Sequence, residues 1–250
     1  MSSFHYFVLL ASLILTLSSG AAKSKDVIVG FGKDKPPFVF GEQKRGLEID
    51  IARKALALLG HTLKVVHIDN KALIPSLLAG RVAAVATARD SQQRFCRVDE
   101  FIFFENMAIS LKNNDLKIHS VDDLKGLSVV AWGRAYKDLG ERYQYLFSPK
   151  DGVFPDGYFE HHSQASQNKM FWAGRVDVVI IDKTIFSWYR KELASLYATQ
   201  QEVVYHGIFS GKTYFPALFN DQKLCKDFKQ GLSIMKKSGE YRRLYDMSIK

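Results

Sequence analysis

A scattered set of residues in this 250-residue chain has the types and positions needed to hold a small charged molecule. Arg89 and Arg94 carry planar guanidinium forks, each able to take a carboxylate through two parallel hydrogen bonds. Asp182 ends a run of apolar residues. Its carboxylate either faces a cleft, accepting from an ammonium or hydroxyl, or caps the next helix. Glu48 falls in the first turn of a helical pattern, where it complements the positive end of the helix dipole or reaches a ligand. Trp132-Gly133-Arg134-Ala135 ends a strand pattern and opens a helix, offering backbone N–H donors and a cation to an anion. Phe38, behind Pro36-Pro37, presents an aromatic face to a ligand or packs within its own loop.

Other motifs fail on spacing. Gly30-Phe31-Gly32 follows a strand, but Lys35 stands where the dinucleotide fingerprint needs its third glycine. Gly211-Lys212-Thr213 looks like the tail of a phosphate loop. The first glycine would have to replace His206, and Gly207 is one place off. His161-His162 has no further ligand at helical or turn spacing, so it reads as a surface pair rather than a metal site. No Gly-x-Ser-x-Gly elbow is present. Two cysteines, Cys96 and Cys225, rule out a four-cysteine zinc site; whether they pair depends on a geometry that spacing does not fix. No metal or organic cofactor is expected.

The elements that position these residues alternate. A β-branched strand over residues 26–31 precedes a helix over 46–60, whose apolar face is Leu47, Ile51, Ala55, Leu58 and Leu59. A strand at 63–68, a helix at 72–79 and a buried strand at 82–86 follow. Ser120-Val121-Asp122-Asp123 forms a capping-box start, and strands follow at 127–132 and 176–181. A long helical region over 221–245 breaks at Ser238-Gly239. This strand–helix rhythm places the chain in the α/β class with parallel sheets.

The composition is that of a folded globular chain, 47% hydrophobic and 24% charged, which excludes collagen, coiled-coil and largely disordered readings. Residues 7–17 form an apolar run too short to span a bilayer but suited to the core of a signal peptide. Small residues follow it, Ser19 and Ala21 or Gly20 and Ala22, and no lipoprotein cysteine does. Residues 1–22 therefore read as a cleaved leader, and the remainder as an exported, soluble, periplasmic monomer.

Six segments occur in an order that carries a resemblance. They are Pro36-Pro37-Phe38, Gly46-Leu47-Glu48-Ile49-Asp50, Leu73-Ile74-Pro75-Ser76-Leu77, Asp123-Leu124-Lys125-Gly126, Ala173-Gly174-Arg175-Val176-Asp177 through Asp182, and Ser238-Gly239-Glu240-Tyr241. The chain resembles bacterial extracellular solute-binding proteins of family 3, whose type 2 periplasmic-binding fold includes the amino-acid receptors of ABC importers. The resemblance implies an α/β fold of two lobes with a ligand cleft between them. Lobe 1 would comprise residues 23–112 and 205–250, and lobe 2 residues 113–204. It also implies that an aromatic at Phe38 stacks on the ligand and that Asp182 takes a ligand ammonium. The chain departs from the amino-acid receptors in three places. Gly-Thr-Thr is replaced by Gly133-Arg134-Ala135, and the aspartate expected after Gly80-Arg81-Val82 is Ala83. The Thr-Pro-Glu-Arg stretch reads Arg89-Asp90-Ser91-Gln92-Gln93-Arg94, so either Arg89 or Arg94 does the work of its arginine.

The net charge of +9 is uneven on that division: residues 113–204 hold 11 Lys and Arg against 12 Asp and Glu, so the excess lies in lobe 1. A basic lobe steers an anionic ligand or faces an anionic membrane surface, or is merely a solvated basic face. An exported chain without aromatic-interleaved basic runs does not point to nucleic acid. The expected function is capture of a small polar or carboxylated, amino-acid-like solute by hinge closure, without catalysis, and delivery to an inner-membrane ABC permease. Two other uses of the fold stay open. One is a ligand-sensing module for a membrane partner, against which the absence of a kinase domain before Lys250 counts. The other is a dehydratase-like enzyme with Glu48 as its acid. The sharpest expectation is that Arg89 and Asp182 act on one ligand from opposite lobes.

Overall fold

The computed structural model describes residues 25–41, 43–88 and 93–249; residues 1–22, where a leader is expected, and Arg89 lie outside the described residues. β1 (Lys25–Phe31) buries Val27, Val29 and Phe31 on one face, the period-2 pattern of a half-buried strand. It pairs in parallel with β2 (His61–His67) and β3 (Ala84–Ala86). α1 (Leu47–Ala57) and α2 (Leu73–Leu78) lie on the crossovers between these strands. On the far side of β3, β9 (Lys212–Phe219) runs antiparallel, and β4 (Cys96–Leu111) pairs antiparallel with β9. α6 (Gln222–Lys237) packs on α1 closely enough that a Cβ at Gly231 would lie 2.1 Å from the Ala55 carbonyl oxygen. α7 (Glu240–Ile249) begins after the turn at Ser238-Gly239, where Gly239 takes φ +79°.

A second sheet forms around β5 (Val129–Trp132), parallel to β6 (Tyr158–His161) and β7 (Val178–Asp182). α3 (Glu141–Phe147), α4 (Gln164–Trp172) and α5 (Lys183–Glu192) accompany it. β7 is buried throughout, with Val179 and Ile181 in one core and Val178 and Ile180 in another, which is why it reads as unbroken apolar sequence. β4 joins the two sheets. Residues Ile102 to Glu105 pair with β9, whereas Asn106 to Ser110 pair with β7, and β8 (Val203–His206) flanks Ala108 to Leu111. The strand order is β2-β1-β3-β9-β4-β7-β5-β6, with β8 on β4. This is the two-lobe α/β arrangement expected from the sequence.

Some features differ from the sequence reading. The segment after Trp132 opens no α-helix. Arg134 adopts φ +66°, and a single 3-10 turn over Ala135–Lys137 precedes α3 by several residues. Cys96 and Cys225 form a disulfide with Cα atoms 6.1 Å apart, joining β4 to α6 across a sequence separation of 129.

Candidate ligand-binding site

In open α/β sheets ligands bind beyond the carboxyl ends of the parallel strands. On the first sheet those ends carry Lys35, Phe38, Glu48 and Thr87. The loop after β1 is held by hydrogen bonds between Lys35 and Val39 and between Phe40 and Arg45. It returns to α1 through Gly46, at φ +128°, where a Cβ would lie 2.3 Å from the Phe38 carbonyl oxygen. That oxygen accepts the backbone N–H of Glu48 at 3.0 Å. Phe38 is fully buried, its ring 4.7 Å from Phe104 and 6.3 Å from Tyr245, so it forms part of the wall rather than an exposed platform.

Glu48 is also fully buried. Burying a carboxylate is costly unless it is paired. Its Oε1 lies 2.5 Å from Lys35 Nζ, in an ion-pair contact, and its Oε2 accepts from the Thr87 hydroxyl at 3.3 Å. The Lys35 ammonium sits 4.6 Å above the Phe104 ring and 5.9 Å from that of Phe38, within cation–π range of both. Thr87 has φ +51°, an uncommon conformation for a β-branched residue, at the end of β3. Lys35 and Thr87 escaped the sequence reading because neither belongs to a periodic or motif signal. The only hint was Lys35 standing directly before Pro36-Pro37. Arg94 is exposed, with its guanidinium 5.5 Å from the Phe95 ring.

On the second sheet, Trp132 and Gly133 are half-buried and Ala135 is buried. A Cβ at Gly133 would lie 2.6 Å from His162 Nδ1, so the glycine lets the imidazole close on the turn. The Arg134 backbone N–H donates to Glu160 Oε2 at 2.6 Å, so this donor is already occupied, while the Arg134 side chain is exposed. Asp182 is buried at the end of β7. Its Oδ1 accepts from the N–H groups of Thr184 at 2.8 Å and Ile185 at 3.0 Å, which caps α5. Its Oδ2 accepts from Glu105 N–H at 2.7 Å. Desolvation pushes its carboxyl up to about 6, against the opposing pull of these three donors.

The structure thus joins Phe38 and Glu48 through Lys35, joins Gly133 and Arg134 to the β6 end, and ties Asp182 to β4. Beside these lies a cavity of about 550 Å³ between the segment 37–50, α5 and α7, walled by Phe40, Arg45, Trp188, Leu244 and Met247. Across it Phe40 meets Trp188 edge-on at 5.9 Å, and Arg45 stacks on Phe40 at 4.2 Å. Neither Glu48 nor Asp182 lines this cavity. Among the described residues no group of three His, Cys, Asp or Glu side chains is placed to hold a metal, and no helix is long and apolar enough to cross a membrane.

With this geometry in view, the family model for bacterial extracellular solute-binding proteins, family 3, matches residues 27–249. The chain belongs to that family. Comparison with curated proteins returns no match. Among solved structures, an ancestral arginine-binding protein bound to arginine is similar at 22% identity and TM-score 0.67, covering 90% of this chain and 98% of that one. A histidine kinase sensor domain with similarity to periplasmic binding proteins is similar at 17% identity and TM-score 0.68, covering 90% and 96%. An ancestral amino-acid-binding protein described as a precursor of cyclohexadienyl dehydratase is similar at 21% identity and TM-score 0.66, again covering 90% and 96%. Likeness at these identities establishes the fold, which this family member shares with binding, sensing and dehydratase-related proteins.

Proposed function

We propose that this family 3 protein is a solute-binding receptor. It captures a small polar or carboxylated solute, amino-acid-like in size, between two lobes that close about a hinge. It then delivers the solute to an inner-membrane ABC permease. The observation that carries this reading is β4. One strand runs through both sheets, pairing with β9 up to Glu105, with a bulge between Val98 and Ile102, and with β7 from Asn106, so the two sheets can rotate about it. We assign residues 23–112 and 205–250 to lobe 1 and residues 113–204 to lobe 2, with the change of sheet partner falling earlier, between Glu105 and Asn106. The chain works as a monomer in the periplasm after loss of residues 1–22, with Arg89 or Arg94 clamping a ligand carboxylate.

One observation favours a second use of the fold, and another weighs against a third. The histidine kinase sensor domain aligns with 90% of this chain, which supports a sensing module as the second reading. For a dehydratase-like enzyme the best acid was Glu48, and its ion pair with Lys35 leaves that carboxylate engaged. A thermal-shift screen of small polar solutes, followed by turnover assays on each hit, decides among these. The receptor reading expects a stabilising solute recovered unchanged, and small-angle scattering should show a smaller radius of gyration on saturation. An unchanged radius at saturation would exclude the clamp, and conversion of the solute would make the protein an enzyme.

A further inference from the structure

We propose that Lys35 is a built-in ammonium. It fills the aromatic and acidic box of Phe38, Phe104 and Glu48 from within the chain, and the cleft therefore takes carboxylated solutes that carry no amino group. The inference deepens the receptor reading and rests on it.

A receptor that holds a ligand ammonium needs a carboxylate to pair with it, and gains from an aromatic face to lie against. Both are present at the carboxyl ends of β1 and β3, and both are in use. Lys35 Nζ contacts Glu48 Oε1 at 2.5 Å and lies 4.6 Å above the Phe104 ring. Glu48 has no exposure, whereas the Lys35 side chain keeps 24% of its own, so the lysine is the member of the pair that meets solvent. A ligand ammonium cannot reach Glu48 without displacing it.

Three other described carboxylates near strand ends are engaged as well. Asp182 accepts three backbone N–H groups at 2.7 to 3.0 Å. Glu160 accepts Arg134 N–H at 2.6 Å on one oxygen and the Tyr158 hydroxyl at 3.1 Å on the other. Glu105, on the crossing strand, pairs with Lys183 Nζ at 2.6 Å. Near these ends Arg134 exposes a guanidinium after β5, and Asp34 exposes a carboxylate in the loop after β1, where it accepts Gly41 N–H at 3.3 Å. An ammonium entering beside Glu48, Asp182 or Glu160 would lose its water at a carboxylate already engaged, whereas a carboxylate would find the Lys35 ammonium and the Arg134 guanidinium.

The test is calorimetric titration of the full chain with matched pairs that differ by one amino group: succinate against L-aspartate, and glutarate against L-glutamate. The expected result is saturable binding of a dicarboxylate at least tenfold tighter than its amino counterpart. Equal or tighter binding of the amino acid would overturn the inference. So would binding of neither pair when the solute screen finds a neutral or cationic ligand, and in that case the receptor reading stands. If no solute in the screen binds, the receptor reading falls and the inference falls with it. A second arm probes the box itself. Lys35→Ala should melt lower than wild type and recover with ethylammonium but not with ethanol, while wild type responds to neither. If Lys35→Ala does not fold alone, ethylammonium present during refolding should restore the yield. Absence of any ethylammonium rescue would show that no ammonium box exists.

Discussion

Asp182 and Glu105 are bound across the junction of the two sheets: Asp182 Oδ2 accepts the Glu105 backbone N–H at 2.7 Å while Oδ1 caps α5 through Thr184 and Ile185. One side chain thereby fixes the start of a helix and the point at which β4 changes sheet. Three N–H donors without an acceptor would be the consequence of losing it. Asp182→Ala is therefore expected to destabilise the fold by about 1–3 kcal/mol, read from denaturant unfolding. An unchanged midpoint combined with a tenfold loss of ligand affinity would instead assign the carboxylate to the ligand.

The disulfide makes a separate prediction. Cys96 and Cys225 tie the start of β4 to α6 across 129 residues, and constraining so long a loop in the unfolded chain stabilises the native state. Replacing both cysteines with serine should lower stability by roughly 2–5 kcal/mol. Alkylation of the unfolded, unreduced protein followed by mass measurement should find no free thiol; two alkylated cysteines would refute the pairing.

These two cases mark what a sequence can and cannot convey. The strands 26–31 and 82–86, the α1 face and the break at Ser238-Gly239 were legible because burial imposes period 2 or 3.6 on local sequence. β4 was not, because a strand that changes sheets carries Arg97, Asp99, Glu100, Glu105 and Asn106 through several environments and shows no single period. The candidate site divided the same way. Asp182 and Glu48 stood out by type and position, yet their partners, Glu105 N–H and Lys35, depend on contacts between segments far apart or on a loop's exact return. Cleft-facing and capping roles for Asp182 have the same local sequence; the cap shows only in the hydrogen bonds from Thr184 and Ile185.

Close helix packing gives a third expectation. At Gly231 a Cβ would fall 2.1 Å from the Ala55 carbonyl oxygen, a backbone atom that cannot move aside without shifting α1. Gly231→Ala should lower stability by about 1–3 kcal/mol through overpacking, despite alanine's better helix propensity. Gly207→Ala is the control: nothing lies within 4 Å of its Cβ position, so its melting temperature should stay near wild type. Equal effects at the two positions would mean that α1 and α6 are not packed this tightly.

The last prediction concerns pH. His206 on β8 is buried against Ser110 of β4, Nε2 to Oγ at 2.9 Å. Desolvation holds its imidazole below the ordinary value of 6.5, with a hydrogen bond to the Ile118 backbone acting in the opposite direction. Because the folded value is depressed, the neutral ring is the form that fits. Its contribution is present above pH 6.5 and is lost as pH falls through the folded value, since the unfolded chain takes up the proton first. The melting temperature of wild type should therefore fall between pH 7 and pH 5, and His206→Gln, which cannot titrate, should show a shallower fall over the same interval. The comparison isolates one histidine, because the other titrating groups are common to both proteins. A His206→Gln profile parallel to wild type would mean that the ring is protonated as readily in the folded chain as in the unfolded one.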